Sequence, residues 1–118
     1  MNPAPAITLI KKLIGCIIDS ITFYRFQISI SCAEGHRVVV CAPFCFGRGE
    51  MVQEMGWVEF PIVHSDMARI LGYKITDASV DEGNFLRLTF STNDVLLISW
   101  SSMYESYELH IEGERIIV

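Results

Sequence analysis

Apolar and polar residues alternate without a break over residues 24–32. Tyr24, Phe26, Ile28, Ile30 and Cys32 fall on one side; Arg25, Gln27, Ser29 and Ser31 fall on the other. A period of two predicts a half-buried antiparallel strand. Glu34-Gly35 then turns the chain into the valine-rich run 37–42. Later, Leu86, Leu88 and Phe90 alternate with Arg87 and Thr89, between turns at 81–84 and at Asn93-Asp94. The run 95–100 predicts the next strand. The closing stretch 107–118 predicts a hairpin that turns at Glu112-Gly113-Glu114. Residues 43–61 mix prolines and glycines with apolar side chains. They predict a partly structured connection with a turn at Gly47-Arg48-Gly49.

Helical spacing occurs twice, at Ile7, Ile10, Leu13, Ile14 and at Val63, Met67, Ile70, Leu71. The two segments are 57 positions apart. That shift lays Thr8 on Ser65, Lys12 on Arg69, Gly15 on Gly72 and Ile18 on Ile75. Each copy predicts a short helix with a hydroxyl near its start, a cation in its last turn, a glycine stop and a run of strands. The expected fold class is α+β: a strongly curved antiparallel sheet or half-barrel of about six to eight strands. It would be built from two α-β-β-β-like pseudo-repeats, about 1–61 and 62–118, with two short helices in one domain, 1–118.

Composition sets the class. Of 118 residues, 51% are hydrophobic and 19% charged, which is enough apolar surface for one core. Mean hydropathy is +0.36, yet no apolar run approaches the roughly 20 residues that cross a bilayer. The N-terminal stretch has Lys11 and Lys12 after its apolar residues, unlike a secretion signal. The expectation is a cytoplasmic protein without a membrane partner. Cys16, Cys32, Cys41 and Cys45 lie in or beside strand-like runs and read as free thiols, mostly buried. They lack the paired close spacing of a zinc site.

No catalytic signature is present. Gly47-Arg48-Gly49 lacks the remaining elements of a phosphate loop. His36, His64 and His110 are widely spaced, without an adjacent nucleophile motif, and read as surface residues. The expectation is a non-enzyme without cofactor or metal.

Charge carries more information. The net value of −5 argues against nucleic acid as a partner. Residues 1–74 hold seven cations and six anions; residues 75–114 hold eight anions and the single cation Arg87. In that acidic stretch tyrosine and glutamate interleave, giving a surface suited to a basic protein. The expected contacts are Tyr104, Glu105, Tyr107, Glu108, Glu112 and Glu114, with Asp81, Glu82 and Asp94 as outer steering charges.

The motif L-[IL]-G-x-x-I at 13–18, the hairpin FQISISCAEGHRVVV at 26–40 and the ending YESYELHIEGERIIV at 104–118 resemble small cytoplasmic immunity proteins of bacterial toxin–immunity systems, including contact-dependent growth inhibition. The resemblance implies tight binding to a cognate toxin domain, often a nuclease with a basic active site, and its neutralisation. It assigns no residue roles. The alternative is a small-molecule-binding or catalytic β-rich domain, with a ligand inside the curved sheet. Trp57 and Trp100 could line such a pocket, although core packing accounts for both.

Overall fold

A computed structural model describes residues 4–50, 52, 56–62 and 65–118, with side chains from Ile7 onward. The chain opens with helix α1, Ala4–Leu9, which tightens into a 3-10 turn at Ile10–Leu13. Strands β1 (Ile18–Phe23), β2 (Ile28–Cys32), β3 (Arg37–Val40) and β4 (Phe44–Arg48) follow. A second 3-10 turn, Met67–Ile70, leads into β5 (Ile75–Val80), β6 (Leu86–Phe90), β7 (Asp94–Ile98), β8 (Tyr107–Ile111) and β9 (Glu114–Ile117).

Every paired strand is antiparallel, and the fold is β-rich with one short helix. The strands form two sheets, ordered β1-β2-β3-β8-β9 and β4-β7-β6-β5, where the sequence pattern predicted one. Pro43, which has no amide hydrogen to donate, lies at the point where the chain leaves the β3 ladder. Past β3 the chain crosses over, and β4 pairs with β7. In the second half β8 makes the reciprocal crossing and pairs with β3. Each half therefore contributes its first three strands to one sheet and the rest to the other, β4 from the first half and the β8–β9 hairpin from the second. Matched bonds hold the crossings: Cys41 N–H donates to the Ser106 carbonyl, and Ser99 N–H to the Pro43 carbonyl, both at 3.0 Å.

The 57-residue relation recurs in the backbone pairing. Gly15 N–H donates to Ile75 O (2.7 Å), and Gly72 N–H donates to Ile18 O (2.9 Å). Ile18 N–H donates to Tyr73 O and Ile75 N–H to Cys16 O, both at 2.9 Å. Each donor and acceptor in one bond of a pair is 57 positions from its counterpart in the other. The isolated bridge between Ile17 and Lys74 lies at the centre of this reciprocal arrangement.

Most of the core lies between the two sheets. Ile18, Ile28, Ile30, Val38, Val40 and Leu109 from one meet Phe44, Leu86, Leu88, Phe90, Leu96 and Ile98 from the other, under Leu13, Met67 and Ile70 of the 3-10 turns. The alternation over 24–32 is only partly a strand. Ile28, Ile30 and Cys32 point inward as predicted, but Tyr24 and Phe26 are exposed at the β1–β2 turn. Tyr24 N–H closes that turn on the Gln27 carbonyl. Thr8 lies inside α1, not at its start. Ser65 does serve a helix start: its hydroxyl accepts the Met67 N–H at 3.1 Å. Val63 and His64 lie outside the described residues.

Gly15 and Gly72 have φ of +92° and +83°, and a Cβ on either would meet nothing within 4 Å. Backbone strain alone therefore sets the cost of substitution, about 1–2 kcal/mol for a left-handed L-residue. Gly15→Ala and Gly72→Ala should each lower unfolding stability in urea by that amount, and by similar amounts. A wild-type-like curve for one alone would break the equivalence of the two junctions.

Candidate functional site

Tyr107, at the start of β8, organises one end of the molecule. Its ring is wholly buried, and its hydroxyl donates to the Asn84 carbonyl at 3.0 Å. That bond fixes the β5–β6 turn against β8. Within the turn the Asp81 carboxylate accepts the amides of Gly83 and Phe85, each at 2.9 Å, an arrangement suited to a short acidic side chain. Asn84 takes a φ of 64°, which asparagine tolerates. Phe85 packs on Cys45, Val52, Val95 and Leu97, which cover the outer face of the four-stranded sheet. Trp57 meets Phe85 edge-on at 5.7 Å and stays 48% exposed.

The loop before β8 completes this end. Ser106 is buried, and its hydroxyl accepts the Ser101 N–H at 2.9 Å. The Ser101 hydroxyl in turn accepts the Met103 N–H at 3.1 Å. The loop thus turns outward, leaving Met103 87% and Tyr104 43% exposed, beside exposed Glu105. Trp57, Asp81 and Glu82 thus sit on or against the β5–β6 turn, and Met103, Tyr104 and Glu105 on the loop before β8, the two segments being linked by the Tyr107–Asn84 bond. None of these three carboxylates forms an ion pair among the described residues.

Of the nine candidates from the sequence, Tyr104, Glu105, Asp81 and Glu82 are exposed at this end. The others lie elsewhere. Tyr107 is a core residue and offers no contact surface; burial, then the charge of Asp81, pushes its hydroxyl pKa above the usual tyrosine value. Asp94 has no exposed side chain and cannot steer a partner. Arg69 grips both its oxygens, at 3.0 and 2.6 Å, Thr92 Oγ1 donates at 2.6 Å, and Arg48 lies at 3.8 Å. Glu108 is almost buried on the outer face of the five-stranded sheet and accepts Arg115 Nε at 2.8 Å. Glu112 and Glu114 are exposed at the opposite end of β8, and Glu112 is paired with Lys12 at 2.6 Å.

The one-sided charge of the sequence is therefore redistributed on folding. Cations from residues 1–74 meet Asp77 (Lys11, 3.6 Å), Asp94 and Glu112, and Arg115 meets Glu108. Asp81, Glu82, Glu105 and Glu114 form no ion pair among the described residues, although Glu105 lies close enough to act on the Arg115 charge. Trp57 and Met103 were not legible as surface contacts. Trp100 does pack against the core, but Trp57 does not. Its position after Gly56 in a Gly- and Pro-containing segment was the available cue.

The space between the sheets holds tightly buried side chains. No group of three or more His, Cys, Asp or Glu among the described residues is placed to hold a metal ion. All four cysteines are free, three of them buried. Burial, reinforced by Glu108 and Glu105, pushes the Cys41 thiol to about 11, far from a reactive thiolate. No described helix is long and apolar enough to cross a membrane. No protein-family model, curated protein or solved structure matches the chain.

Two buried carboxylates link stability to pH. Burial opposes the charge on Asp94, but hydrogen bonds from Arg69 and Thr92 outweigh it and hold its pKa below the ordinary value. At Glu108, burial is likewise outweighed by Arg115 and then His110. A carboxylate with a lowered folded pKa stabilises the fold above its unfolded pKa, and this stabilisation is lost as pH falls through the folded value. Stability should therefore fall as pH drops through and below the ordinary carboxylate range. Asp94→Asn should cost about 2–4 kcal/mol at neutral pH, because it breaks a buried pair whose arginine is partly solvated. It should also flatten the acid limb, as read by thermal unfolding across pH. An unchanged acid limb would remove Asp94 from this role.

Proposed function

We propose that this chain is an immunity-type protein of the cytoplasm, which binds a cognate toxin domain and neutralises it. Docking uses the end of the molecule that carries Trp57, Asp81, Glu82, Met103, Tyr104 and Glu105. The supporting observation is the combination found there: three exposed large side chains on segments that also carry carboxylates without an ion pair among the described residues. Tryptophan and tyrosine supply interface energy, and methionine adapts to an irregular partner surface. Unpaired carboxylates speed encounter with a basic surface such as a nuclease active site. The buried Tyr107–Asn84 bond holds the two acidic loops in place before the partner arrives, which limits the ordering cost of binding.

The test is co-expression with any toxin domain found encoded beside this chain, scored by growth, followed by association kinetics at several salt concentrations. Protection from the toxin is expected, with an association rate that falls steeply as salt rises. Charge reversal of Glu82 and Glu105 together should slow association about tenfold, and Trp57→Ala should mainly speed dissociation. Loss of protection with no measurable binding would overturn the assignment. Wild-type kinetics for the charge-reversed variant would move the docking site away from this end.

A further inference from the structure

The outer faces of the two sheets differ. That of the four-stranded sheet is sealed: Cys45, Val95 and Leu97 lie under Val52 and Phe85. That of the five-stranded sheet is open and polar. Its register places Ser31, Arg37, His110 and Arg115 in one row across β2, β3, β8 and β9. Two surface hollows, of about 240 and 340 Å³, open on this face, and both use Arg37 and His110 as walls. Tyr24, Gln27 and Arg115 line the first. His36 and Ser31 line the second.

Arg37 forms no ion pair with a carboxylate among the described residues. Its Nη2 lies 3.2 Å from His110 Nε2. The remaining Arg37 donors have no hydrogen-bond partner among the described residues. Arg115 gives only its Nε to Glu108, which leaves its terminal nitrogens for another acceptor. Glu108 also approaches His110 Nε2, at 3.4 Å. It is the one carboxylate lining the first hollow, against two guanidinium groups. The hollow thus keeps a net positive charge in a chain of net charge −5.

We infer that this face binds a small phosphate monoester, its phosphate held between Arg37 and Arg115 over His110, and the group that carries it seated against Tyr24 and Gln27. Two forked guanidinium groups match the several acceptor oxygens of a phosphate better than a single carboxylate does. The hollow is fragment-sized, which suits a compact ligand. The site borders the acidic end assigned to the toxin domain, since Glu105 acts on Arg115, but it does not depend on that assignment.

The test is a titration of the full chain, followed by amide and arginine side-chain NMR at constant ionic strength. The probes are inorganic phosphate, a nucleoside 5′-monophosphate, acetate and sodium chloride. Saturable shifts at Arg37, His110 and Arg115 are expected with both phosphate probes, with the monoester binding more tightly. Arg37→Gln should weaken both about tenfold, the effect of one charge-assisted hydrogen bond. Arg37→Lys should restore part of the loss. Equal shifts from chloride, acetate binding as tight as phosphate, or wild-type affinity in folded Arg37→Gln would each overturn the site.

Discussion

The structure depends on the reciprocal backbone pairing of residues 15–18 with 72–75. Four hydrogen bonds of 2.7–2.9 Å, two from each segment, join the first strand of one half to the first strand of the other. The exchange of fourth strands locks the same halves together from the far side, since β4 completes the second half's sheet and β8 completes the first's. Neither half carries a complete sheet alone, so the core between the sheets must form cooperatively. The candidate site inherits its rigidity from this arrangement. Its loops leave strands β5, β6, β7 and β8, which different halves hold in place.

Electrostatics follows from the same folding. A sequence with one acidic and one balanced stretch gives a molecule in which much of that acid is internally compensated. Arg69 and Lys12 are 57 positions apart, and each reaches from its 3-10 turn to a carboxylate, Asp94 or Glu112. The two pairs differ in consequence. Asp94 is buried and ties the turn to its sheet, whereas the Lys12–Glu112 pair is exposed and contributes little. The remaining free carboxylates at the Trp57 end are fewer than the sequence suggested, but apolar contact area accompanies them.

Local pattern made most strands legible, because period-two alternation and Gly or Asn turns depend on near neighbours. The 57-residue relation was legible for the same reason: Gly15 and Gly72 mark equivalent stops. The division into two sheets was not, since the crossings after β3 and before β8 are decided by long-range pairing that no local pattern encodes. Tyr107 shows the limit for sites. Within Tyr-Glu-Ser-Tyr-Glu, Tyr104 and Tyr107 have similar sequence surroundings, yet one projects into solvent and the other is wholly buried. Asp94 and Glu108 were misplaced likewise, because their partners Arg69 and Arg115 lie 25 and 7 positions away.

The two surfaces proposed for binding are chemically opposite: one end is acidic and aromatic, and one sheet face carries paired guanidinium groups. Hydrogen–deuterium exchange on the chain with and without the proposed toxin-domain partner separates them in a single experiment. The account predicts protection confined to 57–58, the 81–85 turn and the 101–106 loop, with the outer strands of the five-stranded sheet unchanged. Protection confined to β2, β3 and the β1–β2 turn, with the acidic end unaffected, would contradict it.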